Sequence, residues 1–238
     1  MSHPQQRAFI REVAALLHPV GPLLEIGSLD VNGTLRDLID VDDWTGVDLE
    51  AGPGVDVVAS GHDFGADESF ATVVSSECLE HDPGWDLTLR NAVRVLRPGG
   101  LLLLTCATRG RHEHGTARTS PDFSPGTTAV GWDHYRNLGA ADVLGVLGDD
   151  VVVDLCAVNH ESFDLYVVAH KRPAPAVPSL RHLARRLRLD GLRPSRVSDR
   201  ALLALWRAER MDEVPLWAGL AAHPVRVARW AAGVAFRR

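Results

Sequence analysis

The sequence predicts an α/β fold: a doubly wound, mostly parallel seven-stranded sheet with a terminal antiparallel hairpin, followed by a helical C-terminal extension. Three observations lead there. Five short apolar runs between residues 23 and 106 alternate with segments of helical spacing, as strands joined by crossover helices do in a parallel sheet. Two later runs, Val151 to Val158 and Phe163 to His170, are linked by Asn159 to Ser162 alone, too short a link for a crossover helix, so they pair antiparallel. Beyond Lys171 the prolines at 173, 175 and 178 mark a linker before helical patterns resume.

Taken in order, residues 5–18 carry Ala8, Phe9, Val13, Leu16 and Leu17 at helical spacing and stop before Pro19, which reads as a leading helix. The five strands are expected at Leu23 to Ile26, Trp44 to Leu49, Val55 to Ala59, Ala71 to Ser75 and Leu101 to Cys106. Helices are expected at Thr34 to Asp40 and Asp86 to Leu96, and in the tail at Leu180 to Leu189, Asp199 to Met211 and Val225 to Phe236. The chain thus divides into a domain over residues 1–171 and a basic helical extension over 172–238.

Composition limits what this fold serves. At 238 residues and 45% hydrophobic content the chain can bury a sizeable core. The longest apolar runs, such as Leu101 to Leu104, fall far short of the roughly 20 residues that span a bilayer. The first ten residues are polar and lack the order of a secretory signal, so a cytoplasmic protein is expected. Cys78, Cys106 and Cys156 are odd in number and lack CxxC spacing, which points to reduced, buried thiols. Charge is unevenly spread: 10 basic against 26 acidic residues up to His170, then 15 basic against 5 acidic from Lys171. An acidic body therefore carries a basic tail.

Ligands of open α/β sheets sit beyond the carboxyl ends of the strands. Those ends here are Glu25-Ile26-Gly27, Asp48-Leu49, His62-Asp63-Phe64 and Glu77. Gly27 permits a sharp turn, and Gly33, at the start of the next expected helix, permits close backbone approach to a ligand. Asp48 offers two carboxylate oxygens to the two donors of a ribose cis-diol. Asp63 is expected at an adenine amine, with Phe64 or Leu49 against the ring.

Together, Glu25-Ile26-Gly27-Ser28 with Asn32-Gly33, Gly46-Val47-Asp48-Leu49, His62-Asp63-Phe64, Glu80-His81 and Arg97-Pro98-Gly99-Gly100 resemble the Rossmann-like class I S-adenosylmethionine-dependent methyltransferases over about residues 5–170. The terminal hairpin fits that resemblance, since a plain dinucleotide-binding domain would add another parallel strand. The resemblance implies S-adenosylmethionine as cofactor, held by Glu25, Gly27, Ser28, Asn32, Gly33, Asp48, Leu49, His62, Asp63, Phe64 and Glu77. The run Gly27-Ser28-Leu29-Asp30-Val31 lacks the further glycines of the family's first motif. A nicotinamide cofactor would need GxGxxG directly after the first strand, and Gly27 to Asn32 lacks it.

Methyl transfer from a sulfonium is an in-line displacement, so the protein mainly positions the acceptor and excludes water. A hydroxyl acceptor also has to lose a proton. Glu77, Glu80 and His81 bring two carboxylates and an imidazole within one turn, a set able to act as general base or to hold a divalent metal. The pattern resembles O-methyltransferases of ubiquinone biosynthesis, which implies a metal on Glu77, Glu80 and His81, with Mg2+ the candidate ion. Catalytic roles are expected for His81, Glu80 and His134.

Residues Ala107 to Val130 form a long polar loop with Arg109, Arg111, His112 and His114, which together with Trp132, His134, Tyr135 and Arg136 further on is expected to meet a hydroxylated small molecule such as a sugar or phenolic metabolite. Methylation of base amino groups usually accompanies Asn/Asp-Pro-Pro-aromatic after the fourth strand, where Ser75-Ser76-Glu77-Cys78 stands instead. The expected function is O-methylation of a small molecule. The alternatives are a nucleic-acid methyltransferase using the basic tail and a cofactor-binding protein without catalysis. The tail itself is expected to dock on the acidic body of its own chain or of a homodimer mate, against contact with an anionic membrane or nucleic acid.

Overall fold

The computed structural model describes residues 3–187 and 189–191. The helical patterns at 199–211 and 225–236 lie outside them. The strands are β1 (Leu23–Ile26), β2 (Trp44–Asp48), β3 (Val57–Val58), β4 (Phe70–Ser76), β5 (Leu96–Ala107), β6 (Val151–Asn159), β7 (Asp164–Lys171) and β8 (Asp190–Gly191). They form one sheet in the order β3-β2-β1-β4-β5-β7-β6-β8. Strands β1 to β5 run parallel, and β7 enters antiparallel between β5 and β6. The hairpin follows from its four-residue link, in which Phe163 takes a left-handed φ of 58°. The expected seven strands are present, and the two-residue β8 adds an eighth at the edge beside β6.

Helix α1 (Pro4–Leu17) follows the apolar stripe and ends on His18 in the left-handed conformation. Its buried face carries Phe9, Ile10 and Val13, and the Phe9 ring stacks on Tyr166 of β7 at 4.4 Å. Leu101 and Leu103 of β5 join the same cluster. Side chains alternate across a strand, so the equally buried Leu102 and Leu104 face the opposite layer. There α2 (Trp85–Val95) packs with α4 (Ala140–Leu147). A short α3 (Pro125–Ala129) lies in the loop between β5 and α4.

Two features bind the edges of this core. Lys171, the only lysine, donates from Nζ to the carbonyls of Arg94 and Leu96 at 3.3 and 2.8 Å. A cation thereby meets the negative end of α2, where the last carbonyls lack partners within the helix. After the linker, α5 (Arg181–Arg186) brings Leu180, Leu183, Ala184 and Leu189 into the cluster of Phe9 and Tyr166. Its expected span of 180–189 shortens to six residues.

The expected helix at Thr34 to Asp40 is absent. The chain makes a turn there, with Leu38 and Ile39 donating to the Leu35 carbonyl and only Leu35 and Ile39 buried among the apolar side chains of the turn. Two buried residues four apart imitate helical spacing, and a single turn is enough to bury both. Among the described residues no helix is long and apolar enough to cross a membrane.

Candidate functional site

Parallel pairing aligns the carboxyl ends of β1, β2 and β4, and an open cleft lies across them. Gly27 lines it from the end of β1, Asp48 and Leu49 from the end of β2, His62 from the turn after β3, and Glu77 and His81 from the segment after β4. The backbone at Gly27 has a φ of 79°, and a Cβ there would stand 2.6 Å from that of Cys78. Only glycine lets β1 turn this close to the segment after β4. Behind the turn a smaller hollow is lined by Glu25, Ser28, Asn32 and Gly33, together with Gly27. Ser28 is buried, and its hydroxyl has no hydrogen-bond partner among the described residues. The hollow thus offers an unengaged hydroxyl beside a glycine turn, a fit for the polar methionine end of S-adenosylmethionine.

Asp48 closes β2. Its Oδ2 accepts from the Leu29 amide at 3.0 Å and its Oδ1 from the Leu49 amide at 2.7 Å. Burial raises its pKa, against those backbone donors that lower it. Each oxygen retains acceptor capacity for a diol. Glu25, buried in β1, accepts from Trp44 Nε1 at 3.1 Å, and burial raises its pKa to about 8.

The turn after β3 presents its residues differently from the expectation. Asn91 donates from Nδ2 to the carbonyls of Gly61 and Phe64, both at 2.9 Å, and so fixes the turn. His62 faces inward, where Nε2 meets Asp82 at 2.9 Å, and its ring stacks on Trp132 at 5.6 Å. Asp63 is exposed and Phe64 half-buried, and neither lines the cleft. Of the two side chains expected against the adenine ring, Leu49 lines the cleft and Phe64 does not, and His62 and Trp132 line it as well. Asp82 holds this arrangement by also accepting from the Gly84 amide and, at 2.6 Å, from the Thr88 hydroxyl.

The opposite end of the cleft is rich in titratable groups. Glu80 and His81 occupy a single 3-10 turn, Leu79–His81. Glu80 accepts from the Ala107 amide at 3.2 Å through Oε1, while its Oε2 is unpartnered among the described residues. Both nitrogens of His81 are also buried without partners there. Burial, and then His114, lower the His81 pKa to about 3, so the ring is neutral at ordinary pH and a weak proton acceptor. His114 and Tyr135 pack on it at 5.0 and 5.5 Å between ring centres. His134 bears on the charge of His81 and keeps a buried, unpartnered Nε2, but does not line the cleft.

The set Glu77, Glu80 and His81, expected to hold one metal, divides in two. Ligand atoms of Glu80, His81 and His114 lie within 4.8 Å of one another, whereas Glu77 groups with His3 and Asp164. Glu77 takes a left-handed φ of 52° as β4 ends, before the 3-10 turn begins, which separates it from the pair that follows. Two imidazoles and a carboxylate do not suit Mg2+, which prefers oxygen ligands. Burial, with Glu80 and Asp164 close by, raises the Glu77 pKa well above the usual carboxylate range.

His3 and Asp164 had no sequence signal, since each enters through a tertiary contact, while Trp132, expected beside the acceptor loop, lines the cleft and stacks on His62. His114 stood out only as one of several histidines in the long loop. That loop also supplies the remaining wall: Phe123, Ser124, Pro125, Gly126 and Thr127 line the cleft opposite Asp48.

Residues 40–104, from before β2 to the middle of β5, match the sequence family described as a methyltransferase domain. No curated protein matches the chain. Among solved structures the chain is similar to the 1,6-didemethyltoxoflavin-N1-methyltransferase of Burkholderia thailandensis, at 17% identity over 71% of this chain and 78% of that one, with a TM-score of 0.49. It is also similar to the N-methyltransferase NodS of Bradyrhizobium japonicum WM9, at 18% identity over 72% and 89% of the two chains, with a TM-score of 0.48. The cyclase SpnF aligns at 15% identity over 70% and 80%, with a TM-score of 0.49.

Proposed function

From the methyltransferase domain carried by residues 40–104, we propose that the chain transfers the methyl group of S-adenosylmethionine to a hydroxyl of a small molecule. The observation that carries the reading is the cleft. It runs from Asp48, poised for a ribose diol, past Gly27 to the polar end at Glu77 and His81. The sulfonium would lie between, facing an acceptor held beside His81, His114 and Tyr135. Glu25, Ser28, Asn32 and Gly33 are assigned to the methionine end, Asp48 and Leu49 to the ribose, and His62 to the base.

In this reading the chain's own groups act by position. The Asp48 carboxylate fixes the nucleoside, and the loop wall over residues 123–127 excludes water from the displacement. Glu80 is assigned to receive the hydroxyl proton, relayed through the neutral His81 ring, with His134 placed behind them. Support for a small acceptor comes from the loop wall, which narrows the cleft to the scale of a metabolite.

Calorimetry with S-adenosylhomocysteine tests the central claim. The wild-type chain is expected to bind, and Asp48→Ala to weaken binding by about 10–100-fold, the equivalent of roughly 1.4–2.8 kcal/mol for a lost charge-assisted pair of hydrogen bonds. Absence of binding by the wild-type chain would sink the proposal.

A further inference from the structure

We propose that Glu80, His81 and His114 form a site for a divalent transition cation of the zinc or iron type, at the end of the cleft away from Asp48. Glu80 and His81 come from the turn after β4, and His114 from the long loop after β5, 33 positions further on. Their ligand atoms all lie within 4.8 Å of one another. Glu80 is fully buried and His81 is 2% exposed, yet Oε2 of the first and both nitrogens of the second have no hydrogen-bond partner among the described residues. Nε2 of His114 is likewise buried and unpartnered. Native interiors rarely leave so many polar atoms unmatched at one point, and a bound ion is one of the standard explanations.

The surrounding hydrogen bonds orient the set as a metal site requires. His114 Nδ1 lies 3.0 Å from the His112 carbonyl. An oxygen there can only accept, so the proton sits on Nδ1 and the lone pair on Nε2, the unpartnered atom. Metal-binding histidines are commonly held by such a carbonyl. Glu80 Oε1 is engaged by the Ala107 amide, which leaves Oε2 as the ligand oxygen. Gly115, with a φ of 66°, lets the loop pass flat against His81, since a Cβ there would stand 2.7 Å from the imidazole Cε1.

Two imidazole nitrogens and one carboxylate oxygen select zinc, iron, nickel or cobalt over magnesium. Three protein ligands leave coordination positions open, and His81 lines the cleft. An acceptor hydroxyl at an open position is a role that rests on the methyltransferase reading; the binding of the ion does not.

Titration of the metal-free full chain with Co2+, read from its visible absorption, and with Zn2+, read by calorimetry, separates the two. One equivalent of each is expected, with no competition from Mg2+. His114→Gln and His81→Gln, which keep polar volume, should each weaken Zn2+ binding by about 100-fold or more, beyond what loss of an outer-shell partner costs. Glu77→Gln should leave it unchanged. Circular dichroism and cooperative thermal unfolding check that each variant is folded. The proposal is overturned if the folded wild-type chain binds neither ion, if His114→Gln binds as wild type does, or if Glu77→Gln abolishes binding.

Discussion

Replacing Glu25 with glutamine should make the protein less sensitive to rising pH. Glu25 is 4% exposed in β1, and burial lifts its pKa from 4.5 to about 8, opposed by the Trp44 hydrogen bond and by Arg36. Between those two values the folded chain keeps a proton that the unfolded chain has lost. Stability therefore falls as pH rises, by about 1.4 kcal/mol per unit. The protonated carboxyl's contribution is complete below 4.5 and gone once pH has passed about 8, and over the window it amounts to roughly 3–6 kcal/mol. Glutamine does not titrate, yet keeps an oxygen for Trp44 Nε1. Urea unfolding of wild type and Glu25→Gln at intervals from about pH 5 to 8 gives the difference in stability directly. That difference should change in favour of the variant by about 1.4 kcal/mol per unit. A flat difference curve would mean that Glu25 is hydrated and titrates normally in the folded chain.

Two further substitutions test the glycine contacts of the cleft. Gly27→Ala combines a left-handed residue, about 1–2 kcal/mol, with overlap against Cys78, about 1–3 kcal/mol. Thermal unfolding should shift down by at least about 4 °C, since each kcal/mol is worth about 2–4 °C at this size. Cys78→Gly should restore only the steric share, and full restoration would show the backbone conformation to be unstrained. Gly126→Ala introduces a Cβ against Asp48 Oδ1. Its affinity for S-adenosylhomocysteine should fall by about tenfold, or 1.4 kcal/mol, at an unchanged melting temperature. Equal dissociation constants would remove Gly126 from the ribose end.

The sheet was legible because strands buried on both faces read as unbroken apolar runs, and the hairpin because four residues cannot hold a crossover. From that topology followed the convergence of Gly27, Asp48, Glu77 and His81, since parallel strands send their carboxyl ends to one edge. What arrives from elsewhere was not legible. His3 reaches the site through the start of α1 and Asp164 through the antiparallel strand, and neither has a fixed spacing from the residue it meets; Trp132 was legible as a residue of the acceptor side, but its stacking on His62 was not. Asp63 and Phe64 illustrate another limit. Which residue of a turn faces inward depended on Asn91, nearly thirty positions on, whose amide ties down the two flanking carbonyls. The helix expected at 34–40 failed because buried Leu35 and Ile39 satisfy a helical period within a single turn.

Glu77 shows where the molecule departs from its own stability optimum. Its φ of 52° favours glycine or asparagine, its burial favours an apolar side chain, and Glu80 and Asp164 beside it disfavour a second negative charge. All three preferences could be met by one residue change on the same backbone. The end of β4 thus passes directly into a residue that backbone, burial and charge each disfavour, at a point where the chain lines the cleft.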